Sequence, residues 1–253
     1  MQPTNIDPGA DRWMRRGIAS LWLATGLLVV HPEYRRIGSE YLGRLGVPDH
    51  LMYAACAGEF VLGLAILRFP MGRALAFLQV GAVLFFTAIL AGLEPMLLAH
   101  PFGVLSKNIP FVALVLTTWL TQREGWTPRA LWVLRAGVAA IWITEGIVPK
   151  ILFQGEYERE VVSRSGLVPI DPGTFLYVLG AAQALSGIAV LVLRGRWLRL
   201  LLGAQFLALV ALPILVSFKE PLLWFHPFGP MTKNLPILAG TYVLVRRLGC
   251  SSS

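Results

Sequence analysis

Two carboxylic acids and two Lys-Asn pairs stand where water is scarce. Glu59 lies inside the apolar run 51–67 and Glu145 inside 136–149. Lys107 and Asn108 precede an apolar run of only twelve residues (109–120), and Lys233 and Asn234 one of only eleven (235–245). Ionisable groups at such depth are costly and face a cavity or a partner. The acids suit proton exchange, the lysines suit holding an anion or polarising a carbonyl, and the asparagines suit orienting it. Asn is also a good helix cap, with Pro110 and Pro236 in the first turn where a missing N–H costs little. A lysine beside a helix N-terminus is electrostatically unfavourable unless an anion is present, supplied by the protein or by a ligand. The structural alternative is that the lysines snorkel, the asparagines merely cap, and the buried acids form a structural Glu–Lys pair or a protonated Glu59 hydrogen-bonds a neighbouring helix.

His100 and His226, with Glu94 and Glu220, are the next candidates. Each Glu precedes its His by six residues, which matches no helical ligand pair, and HEXXH is absent, so no metal is expected. Each His-Pro step instead shapes a re-entrant turn, with the imidazole reaching a carboxylate or carbonyl and available as a proton donor near neutral pH. Trp22 and Trp142 are too deep for an interfacial belt. They pack between helices or, with Phe102, Phe228, Trp224 and Phe225, line a pocket for a flat apolar ligand such as a quinone. The two cysteines, Cys56 and Cys250, form no CxxC or thiolate metal site, and no GxSxG, GxGxxG or P-loop occurs.

The elements that must position these groups are helices. Of 253 residues 56% are hydrophobic and 14% charged, the balance of a membrane protein. The net charge of +8 is scattered between apolar runs and forms no basic stripe, which excludes nucleic acid as a partner. Eight runs emerge, at roughly 17–30, 51–67, 74–93, 109–120, 136–149, 174–193, 198–218 and 235–245. They are continuous in Leu, Ala, Val and Gly, without the alternation of barrel strands, so the fold class is all-α. The N-terminal stretch carries acids before its arginines and is unlike a signal peptide. Placing both termini in the cytoplasm puts thirteen basic residues inside and nine outside, Lys219 and the other three lysines among the nine, in agreement with the positive-inside rule.

The runs repeat. "EPMLLAHPFGVLSKNIP" from Glu94 and "EPLLWFHPFGPMTKNLP" from Glu220 agree at ten of seventeen positions. Arg15, Gly17, Trp22, Gly26 and Gly63 find counterparts in Arg135, Gly137, Trp142, Gly146 and Gly187. The chain is two four-helix units, 1–125 and 126–253, and an even number of spans makes them parallel repeats. A Trp-rich first helix ending in Gly-x-x-x-Lys ("GIVPK", Gly146 to Lys150), a second helix with Glu-x-x-x-Gly ("EFVLG", Glu59 to Gly63) and the doubled His-Pro…Lys-Asn-x-Pro phrase resemble the DoxX-like family of bacterial membrane proteins. That resemblance implies an inner-membrane protein. Some relatives are subunits or partners of quinone-linked oxidoreductases, and others have no assigned activity.

The halves differ where chemistry is expected: Glu59 matches Gln183, Glu145 matches Thr25, and Lys150 matches Val30. One asymmetric site between the repeats follows, opening to the outer face. Its expected ligand is a lipophilic molecule with a carbonyl or anionic head, a quinone or lipid intermediate. Lys107, Lys233 and Lys150 hold the head, Asn108, Asn234, Glu94 and Glu220 orient it, Trp22 and Trp142 flank it, and Glu59, Glu145, His100 or His226 exchanges a proton. No redox cofactor is evident, so electron transfer requires an oxidoreductase partner or a diffusible quinone. The alternative is a transporter, or a non-catalytic partner or chaperone subunit.

Overall fold

A computed structural model describes residues 7–166, 168–218 and 220–250; Lys219, counted above among the outer cations, lies outside the described residues, as do the residues at both ends. The chain folds as α1 (Pro8–Leu28), α2 (Pro32–Arg44), α3 (His50–Arg68), α4 (Arg73–Leu93), α5 (Asn108–Glu124), α6 (Pro128–Ile147), α7 (Glu156–Ser165), α8 (Pro172–Val192), α9 (Gly195–Ser217) and α10 (Asn234–Cys250). No strand occurs among the described residues. Short 3-10 turns at Pro95–Ala99 and Pro221–Phe225 follow α4 and α9, and a π-turn at Val148–Leu152 extends α6.

All eight apolar runs are helices, and the polar segments between the first and second run of each unit add two more, α2 and α7. Local signals set several starts. Asp7, Thr127 and Asp171 each accept a backbone N–H at the start of a helix whose first residue is proline, so one orphan donor is satisfied and another is absent. Among the described residues five stretches are long and apolar enough to cross a membrane: His50–Arg68, Arg73–Leu93, Pro128–Leu152, Pro172–Val192 and Gly195–Ser217. Their outer faces carry exposed Leu, Ile, Val and Phe, as a lipid-facing surface requires.

The packing is duplicated and crossed. Within each unit the first helix lies against the third helix of that unit, α1 on α3 and α6 on α8. Gly26 abuts the Cys56 carbonyl and Phe60, and Gly146 abuts Gly180 and Ala184, so the backbones touch where a side chain has no room. Across units the last helix of one lies on the first helix of the other. A methyl at Gly17 of α1 would stand 2.3 Å from Ala239 of α10, and one at Gly137 of α6 would stand 2.3 Å from Ala113 of α5. Met14, Ile18, Phe111, Leu114, Leu134, Ile237 and Leu244 fill the shared core, with Trp22 edge-on to Phe111 at 5.7 Å. At the basic end Arg15 donates to the Ile66 and Leu67 carbonyls and Arg135 to those of Val190 and Leu193, tying off the ends of α3 and α8.

Candidate functional site

At the opposite end the two His-Pro…Lys-Asn phrases form matched loops. His100 Nδ1 accepts the Phe102 N–H at 3.2 Å, and His226 Nδ1 accepts the Phe228 N–H at 3.3 Å. His31, also followed by proline, accepts the Glu33 N–H at 3.2 Å in the same way. Histidine is here a turn-former, accepting a backbone N–H two residues on as Asn or Asp does in an Asx-turn. Burial, with repulsion from Lys107 and from the His226 ring whenever that ring is protonated, pushes the His100 imidazole down to about 4; burial and Lys233 do the same to His226, also to about 4. Both rings are therefore neutral near pH 7, with Nδ1 occupied. Gly103 and Gly229 then turn the chain at φ of +68° and +60°, a region L side chains avoid.

The loops reach across the molecule. Lys107 Nζ donates to the Pro230 carbonyl at 2.7 Å, and Lys233 Nζ donates to the Val104 carbonyl at 2.5 Å. Val104 and Pro230 are equivalent positions of the repeat, so each lysine clamps the other unit's loop at the same residue. The rims are pinned from below too. Glu94 accepts from the Tyr41 hydroxyl at 2.5 Å and from Arg44 at 3.3 Å, and the Tyr157 hydroxyl rests on Glu220. Tyr41 and Tyr157 also meet Phe228 and Phe102 of the opposite loop edge-on.

Beneath the loops lie two unlike sites. Under the first unit's loop, against α6, Glu145 accepts from the Ser106 hydroxyl and stands in the field of Lys107 and Lys150. Lys150 is 4% exposed; its Nζ donates to the Glu145 backbone carbonyl at 3.2 Å and pairs with Glu158 of α7 at 3.3 Å. Two acids and two lysines thus offset one another in a buried cluster, in which Glu158 Oε2 lacks a hydrogen-bond partner. The ion pair that forms is Lys150 with Glu158, and neither Glu59 nor Glu145 is its acid.

Under the second unit's loop, against α1 and α3, a cavity of about 480 Å³ remains. Its wall is mostly apolar, from α1, α2, α3, α4 and the Pro227–Phe228 step, with Glu59, Lys233, Thr25 and Asn108 as polar points. Glu59 Oε2 is shut from solvent and has no hydrogen-bond partner, while the Thr25 hydroxyl hydrogen-bonds the carboxyl group and Lys233 sets a positive charge in its field. Cys56, one turn before Glu59, lies 3.2 Å from the Tyr34 hydroxyl in the same wall. α3 and α4 barely touch, and Leu51, Ala55, Phe85 and Phe86 line the cavity while remaining exposed on the outer surface. The cavity therefore opens sideways between them.

The structure brings Glu59, Lys233, Asn108 and Trp22 to one cavity and puts Glu145, Lys107 and Lys150 in the other cluster. Asn108 is the first residue of α5 and makes no cap; its Nδ2 donates to Thr87 Oγ1 on α4 at 2.8 Å. Pro213 replaces Thr87 in the repeat, and Asn234 Oδ1 is left without a partner. Trp22 is buried and donates to Gln79 Oε1 at 3.0 Å, whereas Trp142 Nε1 and Gln205 Oε1, the repeat equivalents, have no partner. Glu158, Ser106, Thr87, Gln79 and Tyr41 were not singled out from the sequence. Gln79 and Gln205, polar residues at matching depth in two long apolar runs, were the available signal. Among the described residues no group of three His, Cys, Asp or Glu side chains is arranged to hold a metal.

The profile of the DoxX-like family matches residues 19–116 and again residues 139–242, one match per unit. No curated protein and no solved structure matches the chain.

Proposed function

The chain belongs to the DoxX-like family, and from that premise we propose that it is a membrane receptor site for a lipophilic small molecule carrying a carbonyl or anionic head, a quinone or a lipid intermediate. All eight long helices span the bilayer, with unit boundaries at 125 and 126 and both termini on the cytoplasmic face of a bacterial inner membrane. The rim loops face outward. The basic end formed by Arg15, Arg68, Arg73, Arg123, Arg129, Arg135 and Arg194 supports that orientation, since arginines concentrate on the cytoplasmic side.

The observation that carries the reading is the orphaned Glu59 oxygen in a mostly apolar cavity that Lys233 also lines. An unsatisfied buried carboxylate oxygen is expensive, and a cavity of this size is in the range that holds small molecules. Lys233 holds the head with the two N–H groups its clamp bond leaves over, Asn108 marks the wall, and Glu59 exchanges a proton. His100 and His226 shape the roof. Glu145, Lys107 and Lys150 hold the second unit closed. Nothing in the chain supplies electrons, so quinone-linked chemistry requires an oxidoreductase partner.

The transporter alternative draws less support. The helix irregularities, the Val148–Leu152 π-turn and Pro213 inside α9, both fall in the second unit, whereas a carrier's broken helices are paired across its repeats. The test is saturable quenching of intrinsic tryptophan by decylubiquinone in lipid nanodiscs. Lys233→Gln, with helicity retained, weakens binding at least tenfold and Lys107→Gln leaves it near wild type. A scaffold without a ligand site predicts no saturable quenching in any variant.

A further inference from the structure

Resting on that pocket reading but revising its head group, we propose that the occupant is a neutral, hydroxyl-bearing lipid with a single chain, taken up from the bilayer through the gap between α3 and α4. The head chemistry follows from what surrounds it. Glu59 offers a free oxygen and Lys233 offers free N–H donors, so a carboxylate and an ammonium face one small space. A hydroxyl donates to the first and accepts from the second at once, which neither a carbonyl nor an anion does. An anionic head gains from Lys233 but stands against Glu59, and like charges in a poorly solvated site repel strongly. The closed cluster of the second unit gives the contrast: there a carboxylate is answered by Ser106, a hydroxyl supplied by the protein itself, beside Lys107. At the open site the Thr25 hydroxyl meets the Glu59 carboxyl and the repeat equivalent of Ser106, Thr232, is buried without a partner, yet Glu59 Oε2 stays unpaired, which leaves one acceptor for a hydroxyl of the ligand.

The route follows from the wall. Leu51, Ala55, Phe85 and Phe86 belong both to the cavity and to the exposed apolar surface, so an alkyl chain leaves the pocket directly into lipid. On the rim side Lys233 and Val104 close the roof. Phe85 and Phe86 stand edge-on at 5.8 Å and form one jamb of the portal. A cavity of about 480 Å³ walled by Tyr34, Tyr41 and Leu42 leaves little room for a second chain, which favours one.

The experiment uses the full chain in phosphatidylcholine nanodiscs with two photoactivatable sixteen-carbon probes, diazirine at mid-chain, one ending in an alcohol and one in a sulfate. The alcohol probe is expected to cross-link α3 and α4 peptides saturably, with tenfold excess hexadecanol removing the signal, and the sulfate probe to give no saturable product. Ala55→Trp, a lipid-facing change in the portal, is expected to cut alcohol cross-linking at least tenfold with helicity unchanged. Glu59→Gln is expected to admit the sulfate probe. Saturable labelling by the sulfate probe in wild type overturns the neutral head while leaving the pocket standing. Labelling insensitive to Ala55→Trp overturns the route. Absence of saturable labelling by either probe overturns the pocket itself.

Discussion

Replacing Lys107 with methionine separates a clamp from a ligand-holding lysine. Lys107 is 8% exposed, and its ammonium donates to the Pro230 carbonyl at 2.7 Å. A hydrogen bond from a charged donor contributes about 1.5–3 kcal/mol, and a buried carbonyl left unpaired costs about 1–3 kcal/mol. Methionine keeps most of the stem's volume, so the cavity penalty is small. Glu145 loses one cation but keeps Lys150 and the Ser106 hydroxyl. A loss of about 3 kcal/mol is therefore expected, which for a chain of this size lowers the melting temperature by roughly 6–12 °C. Thermal unfolding followed by circular dichroism in one detergent measures it. Lys107 does not line the cavity, so Lys107→Met retains any ligand-induced stabilisation, whereas Lys233→Met loses both the clamp and the ligand effect. A Lys107→Met melting temperature within about 2 °C of wild type refutes the clamp.

Three further outcomes are expected. Gln79→Leu orphans the Trp22 N–H and costs about 1–3 kcal/mol, while Gln205→Leu costs less, because Trp142 Nε1 and Gln205 Oε1 already lack partners; chemical denaturation compares the two. Lys150→Met leaves Glu158 as an uncompensated buried charge and costs about 3–5 kcal/mol, and Lys150→Met with Glu158→Leu recovers most of it; a double variant as unstable as the single one contradicts the pairing. His100 and His226 have folded-state values near 4, below the ordinary 6.5, so the unfolded chain binds more protons between those values. Their contribution is complete above about pH 6.5 and is lost as pH falls towards 4. The slope of stability against pH in that window flattens in the His100→Gln, His226→Gln double variant, and an unchanged slope counts against the buried neutral rings.

What was legible in the sequence was whatever a single run or a direct repeat carries. The eight long helices follow from uninterrupted Leu, Ala and Val, and the duplicated rim from "HPFG" and "KN" recurring in register. α2 and α7 were missed because "PEYRRIGSEYLGR" and "EYEREVVSRS" hold scattered apolar residues and many charges, the pattern of a helix lying at an interface. The asparagine caps failed by one residue: α5 begins on Asn108 itself, which frees the amide to reach Thr87. The imidazoles were expected to reach a carboxylate or carbonyl, but the backbone N–H two residues on is closer and needs no other element. Crossing of the units was beyond reach for a different reason. A repeat says which residues are alike, not which copy each will touch, and the exchange shows in Gly17 against Ala239 and Gly137 against Ala113.

The divergence of the halves then acquires a physical meaning. In the second unit the first helix keeps Glu145 and continues into a π-turn that carries Lys150, 4% exposed, inward to Glu158. In the first unit the same two positions are Thr25 and Val30, and Val30 is 74% exposed. Losing the inward lysine removes a base, and moving the acid from the first helix to Glu59 of α3 removes its hydroxyl partner in the loop. Two acids and two bases close one site, whereas one acid, one base and about 480 Å³ remain in the other. Because each loop is clamped by the opposite unit's lysine, the closed site braces the roof of the open one. One copy has become the frame that holds the other's pocket in shape, and for this reason substitutions at Glu145 or Glu158, remote from any ligand, are expected to weaken binding at Glu59 and Lys233.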